Sequence, residues 1–364
     1  MDDNQKACFG FSLCNGVGPM TFIKLVAQFK SPHRAFYAPA EQLYPFFFRE
    51  HQFNAFISFR SHYSYEKEIK KITSQNIWIM TQYHSDYPKL LKNISDPPIC
   101  IFGKGDRNSI DFTNDVCVGV VGTRKPTPYG SYIAQELGTS FASVGLVIVS
   151  GMATGIDTIS HEAAIEKHGR TIAVLGTSID TIYPYTNKEL HDKILKDYGI
   201  VISEYPPGYL VHRGMFVMRN RIIVGLSKAI VVVEGGEHSG SLTTARFAAE
   251  NGRDVYAVPG LITSEMSIGP HILIREGAHV LTSSKELLQD FGLDYGSERI
   301  ATKLIDLTGE EKIIYDLLSV KKYHADEVAK KISLSISETL PILSLLEVRG
   351  IIEKDLDGRF IVQV

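Results

Sequence analysis

Apolar positions follow one rhythm in the middle of the chain and another at its ends. Short β-branched runs at 116–121, 146–149, 171–175, 200–203, 229–233, 254–258 and 279–281 read as strands. The amphipathic stretches 128–143, 155–168, 187–198 and 240–251 between them read as helices. Near-continuous Val and Ile, without polar alternation, mean strands buried on both faces. The pattern predicts an α/β fold, an extended Rossmann-like and mostly parallel sheet under helices, over residues 83–290. Residues 83–112 form a lead-in expected to pair with that sheet.

The ends are helical. Residues 1–82 carry amphipathic runs split by Asn15-Gly16-Val17-Gly18-Pro19, a glycine turn with Pro19 suited to the first turn of the next helix. This stretch resembles the loop of helix-hairpin-helix modules, and a plain αα-turn explains it equally. Tyr44, Phe46, Phe47, Phe48, Phe53, Phe56 and Phe59 are expected to fill this module's core. Residues 291–305 suit a linker. Over 306–364, helices at about 309–319, 325–332 and 335–349 precede a hairpin around Asp357-Gly358, with Thr308 offered as an N-cap. Three helices and a wing form a winged-helix pattern. Its third helix has Glu338, Glu347 and a single arginine, so protein contact fits it at least as well as DNA contact.

The strand ends carry the chemistry. They empty into Gly122-Thr123-Arg124-Lys125, into Ser150-Gly151-Met152-Ala153-Thr154-Gly155, and into Glu234-Gly235-Gly236 followed by Ser239-Gly240-Ser241-Leu242-Thr243-Thr244. Strand, glycine turn and helix start together aim backbone N–H groups and a positive helix end at phosphate. Arg213, Arg219 and Arg221 gather in a polar segment, 205–221, read as a loop at the sheet's carboxyl edge. Phe216 among them suggests base stacking, and a core anchor is the alternative.

The 364 residues are 44% hydrophobic and 22% charged with net charge −3, so any polyanion site must be a local patch. Cys8, Cys14, Cys100 and Cys117 form no C-x-x-C pair and read as buried thiols in a reducing compartment. No signal-like or membrane-spanning stretch is seen, and a cytoplasmic protein is expected. The dinucleotide, P-loop and G-x-S-x-G signatures are absent. Asp157 and His161 stand four apart without a third metal ligand, so an Asp hydrogen-bonded to its neighbouring His is expected there, with no metal and no cofactor.

Several ordered stretches resemble the DprA family (DNA-processing protein A, also called Smf). They are Val120-Val121-Gly122-Thr123-Arg124, Ser150-Gly151 through Asp157 and His161, Tyr183-Pro184, Phe216 with Arg219-Asn220-Arg221, Ser239 to Ala245, and Ala257 to Gly260. The resemblance implies a non-enzymatic single-stranded DNA binder that protects incoming strands. It also implies loading of the RecA recombinase past single-strand-binding protein during natural transformation, by a homodimer. The DNA site it implies comprises Gly122, Thr123, Arg124, Arg213, Phe216, Arg219, Asn220 and Arg221, and the loop-mouth reading adds Lys125, Ser150, Gly151, Ser239, Gly240 and Thr243. Two positions depart from the family pattern: Val217 replaces a proline and Tyr185 a lysine. Ile262, Met266, Ile268 and Leu273 are expected at the dimer surface. The competing class is a LOG-type nucleotide phosphoribohydrolase, whose P-G-G-x-G-T-x-x-E signature is echoed around Gly235 and Gly240, with Thr244 in the catalytic glutamate's place.

Overall fold

The computed structural model describes residues 1–14, 16–293, 309–332, 334–348, 351–355 and 357–362. Asn15, Thr308, Arg349 and all of the expected linker beyond residue 293 lie outside them. The chain forms two compact units, Met1–Glu298 and Arg299–Val364.

The strands are β1 (Trp78–Thr81), β2 (Cys100–Gly105), β3 (Cys117–Val121), β4 (Val147–Ser150), β5 (Thr171–Val174), β6 (Gly199–Ser203), β7 (Ala229–Val232), β8 (Asp254–Ala257) and β9 (His279–Val280). They make one nine-stranded sheet in the order β1-β2-β6-β5-β4-β3-β7-β8-β9. Strands β3 to β9 pair in parallel, and β2 lies antiparallel to both β6 and β1. The lead-in thus joins the sheet as β2. Strand β1 corrects the domain boundary, because the sheet starts inside the segment assigned to the helical module.

The order steps outward from β3 to β6 and then returns to the other side of β3 with β7. Loops leaving β3 and β7 diverge there, opening a crevice at their carboxyl ends. Alternation within β3 shows how both faces are filled. Cys117 and Val121 join Val149, Ile230 and Val232 under helices Gly214–Leu226 and Gly240–Glu250. Val118 and Val120 join Ile148, Val231 and Val233 under helices Pro128–Ser143 and Ile156–Glu166. Each such side chain contributes roughly 1.5–3 kcal/mol of burial.

The N-terminal helices pack on the β2–β6–β5 end of the sheet around Phe9, Phe11, Phe22, Phe36 and Phe56, with Phe102 of β2 in the same cluster. Phe11 lies 5.0 Å from Phe36 and 5.4 Å from both Phe22 and Phe56, ring centre to ring centre. The expected aromatic core is only partly right. Phe56 is fully buried, Phe48 is 92% exposed and Tyr44 is exposed. Their local run mixes a short 3-10 turn with a helix start, so its rings cannot all point one way.

In the second unit, helices Gly309–Val320, Ala325–Ile332 and Ile336–Val348 precede an antiparallel hairpin of Ile352–Lys354 and Phe360–Val362. Ile314, Leu318, Val328, Leu343, Leu346 and Phe360 fill its core.

His161, fully buried, does not bond Asp157 as expected. Its Nδ1 lies 2.6 Å from Thr171 Oγ1, and that hydroxyl donates to Ile148 O at 2.8 Å. Nδ1 therefore carries the proton. Burial, and then the charge of Arg219, push the His161 pKa down to about 3 from an ordinary 6.5. An unfolded chain takes up this proton as pH falls below 6.5, while the folded one refuses it until about 3. Stability contributed by neutral His161 is thus present above 6.5 and lost as pH falls through that window. Urea midpoints should drop between pH 6.5 and 4, and His161→Gln should flatten that slope; equal slopes in the two proteins would contradict this.

Candidate nucleic-acid interface

The crevice at the carboxyl ends of β3, β4 and β7 is a cleft of about 370 Å³. Gly122, Thr123 and Arg124 line one side, Phe216, Val217 and Asn220 another, and Ser239, Gly240, Ser241 and Thr244 a third, with Asp157 and Arg219 in the floor.

Its walls are tied together through the backbone. Thr123 N–H donates to Glu234 O at 2.8 Å, and Ile156 N–H donates to Thr123 O at 3.2 Å. The buried Glu234 carboxylate accepts from Thr127 N–H at 2.9 Å and from Thr127 Oγ1 at 2.6 Å. The turn carrying Arg124 is thereby fixed at both ends, and the side chains of Arg124 and Lys125 stand exposed. Opposite them, helix Gly240–Glu250 starts at the cleft, with the Ser239 hydroxyl accepting from Ser241 N–H at 3.3 Å. A helix start carries partial positive charge.

The floor holds two buried opposite charges, Arg219 and Asp157, each seated on backbone groups. Arg219 is 5% exposed, and its Nη1 donates to Gly151 O and Val174 O. The Asp157 carboxylate accepts from Gly151 N–H at 3.1 Å and Ala153 N–H at 3.3 Å. Any Cβ on Gly151 would lie 2.3 Å from the guanidinium, so only glycine fits beside it. Burial lowers the Arg219 pKa to about 10, opposed by Asp157 and reinforced by the nearby charge of Arg124. Burial raises the Asp157 carboxyl, and Arg219 opposes that. The two cations feel each other, which concentrates positive potential at the cleft.

Several expected site residues take other roles. The segment 205–221 is not one loop, because helix Gly214–Leu226 begins within it. Arg221, four per cent exposed, donates to Asp96 O at 2.5 Å and to Glu204, with its Nε 3.2 Å from Asp96 Oδ2. It is a structural ion pair away from the cleft, since its place on the helix turns it toward the lead-in. Arg219 reaches the cleft only as its floor, its hydrogen bonds spent on carbonyls. Ser150 is buried and donates to Val120 O, and the Gly151 N–H is taken by Asp157. Lys125 and Thr243 are exposed beside the cleft without lining it. Arg213 is exposed at the cap of helix Gly214–Leu226, one turn before Phe216. At the expected dimer surface Leu273 is buried under the sheet's helix layer, whereas Ile262 is 91% exposed, Ile268 exposed and Met266 half-buried.

Two contributors escaped sequence reasoning. Glu234 looked like a strand end, and the buried charges Arg219 and Asp157 come from positions far apart in sequence. No local pattern signals either one. Among the described residues, no group of three His, Cys, Asp or Glu side chains is placed to hold a metal ion, and no helix is long and apolar enough to cross a membrane. Thr244 donates its hydroxyl to Gly240 O at 3.1 Å.

The family model for DNA recombination-mediator protein A matches residues 78–292. The chain belongs to the DNA recombination-mediator protein A family. Protein Smf of Synechocystis sp. is 34% identical over 315 residues, 86% of this chain and 77% of that protein. DNA processing protein DprA of Bacillus subtilis is 44% identical over 204 residues, covering 56% of this chain and 68% of the relative. The X-ray structure of DNA processing protein A from Streptococcus pneumoniae superposes with a TM-score of 0.68 at 32% identity, covering 80% of this chain and 98% of that one. A Helicobacter pylori DNA processing protein A, described for its single-stranded DNA binding mode, matches at TM-score 0.53 and 30% identity over 58% of this chain and 95% of its own. The recombination-mediator match covers β1 to β9, the whole sheet and its cleft.

Removing Arg219 takes the donor from Gly151 O and Val174 O, roughly 1–3 kcal/mol for each group left unpaired, and removes the opposing charge near buried Asp157. Arg219→Ala should lose about that much in urea unfolding, and adding Asp157→Ala should recover part of it. Strictly additive losses would contradict the coupling.

Proposed function

We propose that this chain binds single-stranded DNA at the β3–β7 cleft without reading sequence, and does no chemistry on it. The observation that carries the reading is the exposed Arg124 on a clamped glycine turn, facing both a helix start and Phe216. Arginine forks and bare amides hold phosphate whatever the base. An aromatic face accepts any unpaired base, and a duplex offers none. The single-strand binding described for the Helicobacter pylori relative supports the same ligand.

From the family resemblance we further infer the biological setting. The bound strand is incoming DNA during natural transformation, held in the cytoplasm, shielded from nucleases and handed to RecA in competition with single-strand-binding protein. A homodimer built on the exposed Leu261, Ile262 and Ile268 would present two clefts to one strand.

The test is fluorescence polarisation of labelled oligothymidylate and of a duplex of equal length, at two salt concentrations. Wild-type protein should prefer the single strand and weaken steeply with salt. Arg124→Ala should lose at least tenfold, about 1.4 kcal/mol, and its salt slope should fall by about 0.7 for the lost phosphate. Unchanged affinity in this variant, or release of free base from a nucleoside monophosphate by the wild type, would overturn the reading.

A further inference from the structure

Beyond Phe216 the cleft wall continues in rings. Tyr183 is 50% exposed and Tyr185 is 73% exposed. The Tyr183 ring centre lies 5.0 Å from that of Phe216, tilted by 52°. Phe216 is seated over Gly176, where any Cβ would come within 2.8 Å of its ring, so the pair has a fixed base. Tyr185 opens the short 3-10 turn Tyr185–Asn187, closed by Asn187 N–H donating to Pro184 O at 3.1 Å. Buried Asn187 pins that turn to the β4 mouth, its Nδ2 donating to Met152 O at 2.9 Å and to Thr158 Oγ1 at 2.8 Å. Two solvent-facing tyrosines are thus held on a rigid support next to the cleft.

The charges around them are already engaged. Lys188 pairs with Asp192 at 2.6 Å and Lys193 with Glu189 at 2.9 Å. The lysines that follow the tyrosines are paired, so aromatic faces dominate this flank, in contrast to the Arg124 side.

We propose that Tyr183 and Tyr185 form a second, base-stacking segment of the site, along which a single strand leaving Phe216 lays its bases. This rests on the single-strand reading of the cleft and adds a division of labour to it. The Arg124 side grips phosphate and is sensitive to salt, and the tyrosine side stacks bases and is not. It also assigns single-strand preference chiefly to this flank, because paired bases cannot reach the rings.

The experiment uses the full chain and an oligothymidylate carrying one 2-aminopurine, whose emission is quenched on stacking. The variants are Tyr183→Ala, Tyr185→Ala, Tyr185→Phe and Arg124→Ala. Each tyrosine-to-alanine change should weaken binding by roughly tenfold, reduce the quench, and leave the salt slope unchanged. Tyr185→Phe should keep both affinity and quench. Since Tyr185 is largely exposed, its variants should melt like the wild type. If Arg124→Ala loses affinity while both alanine variants bind and quench normally, the stacking segment is overturned and the cleft stands. If the alanine variants lose affinity with a lowered salt slope, the rings act through phosphate and the proposal also falls. A wild type that ignores the oligonucleotide overturns both.

Discussion

A guanidinium buried between two parallel strands organises the mouth of this sheet. Arg219 bonds the carbonyls at the ends of β4 and β5, and Asp157 gathers the amides of the loop between β4 and its helix. Desolvating either charge costs several kcal/mol, so both depend on these carbonyls and amides being in place. Charge compensation and loop shape therefore depend on each other. Gly151 belongs to the same constraint, because the guanidinium occupies the space its side chain would need.

These internal charges leave the ligand-facing groups free of structural duty. Arg219 and Arg221 serve the fold, and Arg124 and Arg213 remain exposed. Glu234 has the same function on the other wall, locking Thr127 and with it the turn that displays Arg124. A site built on clamped turns loses little entropy when a flexible strand arrives, so its contacts are not spent on ordering the protein.

Much of the sheet was legible because a strand buried on both faces has no polar position to disguise it. Strands β3 to β9 and the helices after β3, β4 and β7 fall close to where the apolar runs put them. The helix Gly214–Leu226 was hidden for the opposite reason. It is buried on most of its surface, yet carries Arg219 and Arg221 inside, so no polar face marks its period. Arginines in a polar run read as surface charge, and only the partners supplied by β4, β5, Asp96 and Glu204 reveal that these two are internal. The same logic explains Leu273, apolar near an exposed loop but covered by the helix layer, and Tyr183, whose contact with Phe216 joins a loop to the first turn of helix Gly214–Leu226.

The central claim is that an unpaired strand is held at the β3–β7 mouth by exposed cations and amides braced from below. Hydrogen–deuterium exchange of the full chain, with and without oligothymidylate, tests it most directly. The account expects slowed exchange in peptides spanning 122–125, 213–217 and 239–243, with no change in helices 309–320 and 325–332. Protection confined to those C-terminal helices, with the cleft peptides unaltered, would contradict it.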